Sequence, residues 1–215
     1  MNLQTRFQRL WDRCRIDKGD ATSPTHGIGR SDSVCRELID HYNEPHRFYH
    51  TTGHIQKCLD QLDLAAHEMG DPEAVEMAIW FHDAIYEMDG SENELKSADY
   101  FQRCSDQVMT PEFQQKVFEM ILTTIHDRTI PQDDARYVVD VDLSSLGSAW
   151  DGFREDSDAI RKEKINLSDK EFFAIQCPFL QSLLNRPRIF FTDFYRDLYE
   201  SRARANIQRQ LDTCR

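Results

Sequence analysis

In AIWFHDAIYE, residues 78–87, a histidine and an aspartate, His82 and Asp83, stand together in a run that is apolar up to its closing glutamate. Burying a neutral polar group without a partner costs roughly 2–7 kcal/mol, and a charge costs more. Ligand-type residues recur elsewhere: His50 and His54, at i and i+4 in RFYHTTGH, His126 in ILTTIHDR, and Asp140 and Asp142 in VVDVDLSSLG. Taken singly each is weak. A lone histidine on an apolar helix face usually bonds a backbone carbonyl, and the chain holds a second His-Asp dipeptide, His126-Asp127. Three separated apolar segments carrying the order His, His-Asp, Asp are another matter. One divalent cation would accept the imidazole lone pairs and balance the carboxylates, and so remove the burial penalty. Two imidazoles with two carboxylates, the last from Asp140 or Asp142, suit manganese, cobalt, nickel, zinc or iron better than calcium. Four protein ligands on a six-coordinate ion leave room for water, whose pKa the ion would bring near neutrality.

Other plans are missing from the sequence. It has no HExxH, no Glu-x-x-His, no Walker-type phosphate loop and no GxSxG elbow. The 215 residues suit one domain, with 1–33 as an N-terminal helix and loop and 34–215 as the core. A formal charge of −12 disfavours a long nucleic acid but leaves room for a small phosphorylated ligand beside a local basic cluster. No apolar run reaches the roughly 18 residues of a membrane span, and the charged N-terminus lacks a signal-peptide core. Six scattered cysteines without a CxxC pair fit reduced thiols. These features predict a cytoplasmic protein without a membrane partner.

The elements that must position the ligands read as helices throughout. Leu3, Phe7, Leu10, Trp11 and Cys14 share one face, and Ile55, Leu59, Leu62 and Ala66 another, opened by Thr51 or Thr52 and stopped at Gly70. Asp71-Pro72 and Thr110-Pro111 are start signals, the first opening a helix that runs through His82 and Asp83. Ser91 and Glu94 have capping-box spacing. Further helices are expected near 133–146, 149–166, 169–185 and 191–211, the last packing by Ala203, Ile207 and Leu211. Residues 18–33 read as a loop, and no alternating run predicts a strand. The expected fold class is all-α.

The chain resembles the HD superfamily of metal-dependent phosphohydrolases, whose H…HD…D order is matched by His54, His82-Asp83 and Asp142. It is similar in particular to a bacterial-type group of predicted HD phosphohydrolases. The blocks that carry the likeness are RFYHTTGHI, AIWFHDAIYE, SENELKSA, VDVDLSSLG, IRKEK and ESRARANIQRQL, spread over most of the chain. The resemblance implies a compact HD-domain helical bundle and makes His54, His82, Asp83 and Asp142 the metal ligands. FYHTTGHI is also similar to a stretch of cyclic-nucleotide phosphodiesterases, which makes His50 the candidate general acid. Glu94 is the candidate general base. Arg47 and Arg161, the latter clustered with Lys162 and Lys164, are candidate phosphate contacts. The several-histidine pattern of binuclear members is incomplete here, which argues against a two-metal mechanism; His126 reads as core by default, the other readings being a ligand to a second metal or a contact to substrate phosphate. The implied activity is hydrolysis, by metal-activated water, of a phosphoester or phosphoanhydride in a small phosphorylated metabolite or nucleotide. The alternatives are a non-enzymatic nucleotide or metal sensor and an HD-type di-iron oxygenase. The substrate depends on pocket shape, expected to be set by the loops at 88–91 and 128–132.

Overall fold

The structure is a computed structural model that describes residues 2–16, 28–88, 90–126, 130 and 133–213. Among them there is no strand. The chain forms α1 (Leu3–Cys14), α2 (Ile28–Tyr42), α3 (Thr52–Ala65), α4 (Pro72–Phe81), α5 (Asn93–Ser105), α6 (Pro111–Leu122), α7 (Ala135–Leu143), α8 (Trp150–Glu163), α9 (Asp169–Asn185) and α10 (Asp193–Thr213). Short 3-10 turns follow α3, α6 and α7. The expected all-α class is the observed one. No helix is long and apolar enough to cross a membrane among these residues.

Several helix starts follow from the side chains that satisfy their first free amides. Thr51 Oγ1 accepts from Gly53 N at 3.2 Å, Asp71 from Ala74 N at 3.1 Å, and Thr110 Oγ1 from Phe113 N at 3.2 Å. Pro72 and Pro111 open α4 and α6, where a proline loses no hydrogen bond. Three expectations are corrected. The loop expected at 18–33 lies outside the described residues as far as 27, and from Ile28 onward it is already α2. The 33/34 boundary therefore falls inside a helix, and α1 belongs to the core, with Phe7, Leu10 and Trp11 fully buried and Phe7 edge-on to Trp80 at 5.2 Å. Ser91 does not build a capping box: Glu92 stands at the N-cap of α5 without a side-chain bond. The helix expected to run through His82 and Asp83 stops at Phe81. After α3, the chain passes through a 3-10 turn at Ala66–Glu68 before reaching Gly70.

Helix α4 is the hub, touching α1, α3, α5, α6 and α7. Met77, Ala78, Ile79 and Phe81 are all without exposed surface, so the last turns of this helix are apolar and buried around their whole girth, while Glu76 before them is paired with Arg6. Its end is thus delivered to the middle of the molecule. A second internal tie is polar. Asp140, with no exposed surface, accepts from Phe191 N at 2.8 Å and from Thr192 N and Oγ1 at 2.7 Å each. It fastens α7 to the start of α10, where Thr192 Oγ1 accepts in turn from Tyr195 N.

Truncating Asp140 strands three donors, the two of Thr192 buried and the Phe191 amide partly so. Asp140→Ala should destabilise the fold by about 2–4 kcal/mol, read as a lower denaturant midpoint, while metal bound per folded chain stays unchanged. Loss of metal by a variant that is still folded would contradict this assignment.

Candidate metal centre

Three segments bring the ligand-type side chains together. His54 lies in the first turn of α3, which Thr51 caps. His82 is the C-cap of α4, its amide still donating to Ala78 O at 2.9 Å, and Asp83 follows as the chain leaves the helix. Asp142 comes from the last turn of α7. Asp140 and Asp142 are two residues apart on a helix and cannot face the same way. The α10 amides hold Asp140, and Asp142 is the one turned toward the histidines.

The spacing of these atoms tests whether a metal ion fits. His54 Nε2 stands 3.3 Å from His82 Nε2 and 3.3 Å from Asp142 Oδ1. His82 Nε2 stands 3.5 Å from Asp142 Oδ1 and 2.9 Å from Asp83 Oδ2, which is 3.5 Å from His54 Nε2. Donors about 2.1 Å from one ion, at octahedral to tetrahedral angles, stand roughly 3.0–3.4 Å apart. The observed separations are close to those edges. His54, His82 and Asp142 alone offer one ligand atom each, all within 4.8 Å of one another, and can hold a metal ion. His82 is also oriented for it. Its Nδ1 donates to Ile79 O at 2.8 Å, which puts the proton there and leaves the Nε2 lone pair facing the cluster.

Charge points the same way. Burial opposes a charged His82, yet Asp83 and Asp142 overcome it and hold the imidazole well above its usual range. Burial likewise opposes the charge on Asp142, but His126, His54 and His82 keep its carboxyl well below the usual carboxylate range. A cluster that gathers protons in this manner can exchange them for a cation.

His126 does more than fill core. It sits at positive φ, 62°, after a 3-10 turn, and its Nε2 is 3.0 Å from Asp142 Oδ2, the oxygen opposite the one that faces His54. Its buried Nδ1 has no hydrogen-bond partner among the described residues. Glu94, in the first turn of α5, faces the same cavity, and burial pushes its carboxyl above the ordinary range, with Asp83 and Asp142 adding to the shift.

Two expected contacts are corrected. Arg47, 5% exposed, spends its guanidinium on Glu44 and on the carbonyls of His50, Asp83 and Ala84, at 2.6 Å for Asp83. It fixes the turn after α4 to the segment before α3, and does not line the cavity. Arg161 closes the C-terminal end of α8, donating to Lys164 O, Leu167 O and Asp169, and likewise does not line it. The Lys164 ammonium donates to Met88 O.

The residue that the sequence did not single out is Glu163, inside the same IRKEK block. It is fully buried. Its Oε1 accepts from the amides of Phe48 and Tyr49 at 2.7 Å and of His50 at 2.9 Å, and its Oε2 lies 2.6 Å from His50 Nδ1. With Nδ1 so engaged, Nε2 is the remaining nitrogen of a ring that lines the cavity. Burial works against a charged His50, but Asp83, then Glu163 and Asp142, raise its pKa above the usual value. The spacing Phe153, Ile160, Glu163 on one helical face was the available signal.

A cavity of about 200 Å³ opens beside the cluster, with His50, Asp83, Glu94, His126 and Asp142 on its wall. No protein-family model matches the chain, and neither a curated protein nor a solved structure matches it significantly.

Two outcomes follow from this geometry. Chelation should lower the Tm by roughly 5–10 °C when metal had been present at a hundredfold excess over its Kd, and His82→Ala should abolish that difference. Glu163 has its pKa lowered from 4.5 to about 2, so its contribution is present above pH 4.5 and lost as the pH falls toward 2. Glu163→Gln should flatten that acid limb by on the order of 3 kcal/mol, measured by denaturant unfolding at successive pH values.

Proposed function

We propose that the chain is a divalent-metal-dependent phosphohydrolase of the HD type, acting on a small phosphoester. The observation that supports this reading best is the set of near-ligand distances among His54, His82, Asp83 and Asp142, matching the H…HD…D order, with an acid-competent histidine on the same cavity. A cation in that position supplies Lewis acidity toward a phosphoryl oxygen and lowers the pKa of a neighbouring water. The protein's own groups do the rest. Glu94, its affinity for a proton raised by burial, takes a proton from the attacking water. His50 gives a proton from Nε2 to the ester oxygen as the bond from that oxygen to phosphorus breaks. A water oxygen has then replaced the alcohol on phosphorus, and the products are the alcohol and a phosphate species. Glu163 holds the imidazole by Nδ1 and stabilises its charged form before transfer.

A second reading rests on His126. Asp142 presents one oxygen to His54 and the other to His126, an arrangement that two cations could share. This is the feature that would favour two-metal chemistry, including oxygenation at two irons. Two equivalents of metal per chain, reduced to one in His126→Ala, would favour it. One equivalent, untouched by that substitution, would remove it. Tight nucleotide binding without turnover would instead favour a sensor.

The deciding experiment is metal analysis of the purified chain with a phosphoester screen in manganese, cobalt, nickel or zinc. His50→Gln should lower kcat by about 10²–10⁴-fold with metal content retained, and His82→Ala should lose both metal and activity. A chain without transition metal, whose phosphatase activity is unchanged by His82→Ala, would sink the proposal.

A further inference from the structure

The cavity has a second wall that the chemistry above leaves unused. Helix α8 presents Phe153, Asp156, Ser157 and Ile160, spaced i, i+3, i+4 and i+7, and so from a single face. Helix α9 adds Gln176, Phe179 and Leu180 from one of its own faces, and Leu143 and Leu146 complete the apolar surface. Phe153 and Leu180 are almost fully buried, whereas Phe179 keeps 38% of its surface exposed and so stands at the rim. Asp156, the one carboxylate on this wall, is matched by Lys57 Nζ at 2.7 Å. No lysine or arginine lines the cavity among the described residues; its other carboxylates are Asp83, Glu94 and Asp142.

Such a cavity selects on two grounds. An apolar ring or chain of ring size gains by leaving water against Phe179, Ile160 and Leu146, and the amide of Gln176 and hydroxyl of Ser157 can bond one polar edge. A second or third phosphoryl group would meet Asp83, Glu94 and Asp142, while Lys57, the ammonium that meets this wall, is already matched by Asp156. From this wall we infer that the ligand carries a single phosphoryl group on a ring-sized, largely apolar organic part, seated between α8 and α9. The inference rests on the phosphohydrolase reading for which end of the ligand meets the cluster. It ranks sugar phosphates, pyrophosphate and nucleoside triphosphates below such a monoester.

The test uses the full chain loaded with manganese and titrated with phenylphosphonate, methylphosphonate and pyrophosphate, none of which need be turned over. Phenylphosphonate should bind at least about tenfold tighter than methylphosphonate, the discrimination expected of an apolar pocket. Phe179→Ala, at a partly exposed position that the fold tolerates, should remove most of that ratio with methylphosphonate binding unchanged. Gln176→Lys should raise affinity for pyrophosphate. Equal binding of the two phosphonates, stronger binding of pyrophosphate by the unmodified chain, or a ratio indifferent to Phe179→Ala would each overturn the inference. A parallel hydrolysis screen separates it from its parent reading. Ring preference in binding with no ester hydrolysed leaves the ligand class standing and removes the hydrolase. Hydrolysis that ignores the ring removes the ligand class and leaves the hydrolase.

Discussion

Donor atoms that would repel or compete in an apolar medium converge here within about one coordination shell of each other. His54 and His82 are 4% and 1% exposed, their Nε2 atoms face one another, and carboxylates stand on either side. Without something positive at the middle, a proton or a metal, such a grouping is costly. Much of the surrounding architecture can be understood as what makes the convergence tolerable. Helix α4, apolar on all sides over its last turns, is driven into the centre by that composition and carries the His-Asp pair there at its end. Ending at Phe81 is part of the arrangement, since a continued helix would point Asp83 about 100° away from His82 around the axis. The turn after α4 instead lets both side chains reach one point.

The two aspartates of VVDVDLSSLG illustrate how neighbouring residues of one type are given opposite work. Both interrupt an apolar helix, Asp140 with no exposed surface and Asp142 with 15% of its side chain exposed. Asp140 meets amides and a hydroxyl that can donate to it, and becomes a fastening between α7 and α10. Asp142 meets imidazoles, whose lone pairs and protons are exchangeable, and becomes part of the group that can hold a metal ion. The helix period separates the two, and what each finds opposite decides the rest.

This also explains what could be read from the chain and what could not. The helices with a proline or a capping side chain at their start were legible because those signals are local, as at Asp71 and Thr110. Helix α2 was missed because the glycine, serine and arginine at its start resemble a loop, and its register is set by packing on α1. The histidines and aspartates were legible because their types are rare in apolar runs. Arg47 and Arg161 were misread for the converse reason: a guanidinium bonds backbone carbonyls as readily as phosphate, and only the fold says which is present. Glu163 was hidden among charges of both signs, although its partner is 113 residues away in sequence. Likewise the wall of the cavity comes from α8 and α9, whereas much of the loops expected to shape it lies outside the described residues.

Arg47 reaches the carbonyl of His50 with one nitrogen and, through that nitrogen and its neighbour, those of Asp83 and Ala84. A guanidinium is a flat, stiff fork, so it acts as a ruler laid between His50, the proposed proton donor, and the turn that carries Asp83. Any thermal wandering of one segment must carry the other with it, and the interval over which a proton would travel stays constant while both drift. A lysine in that place, a single swivelling charge, would keep the attraction and lose the measure.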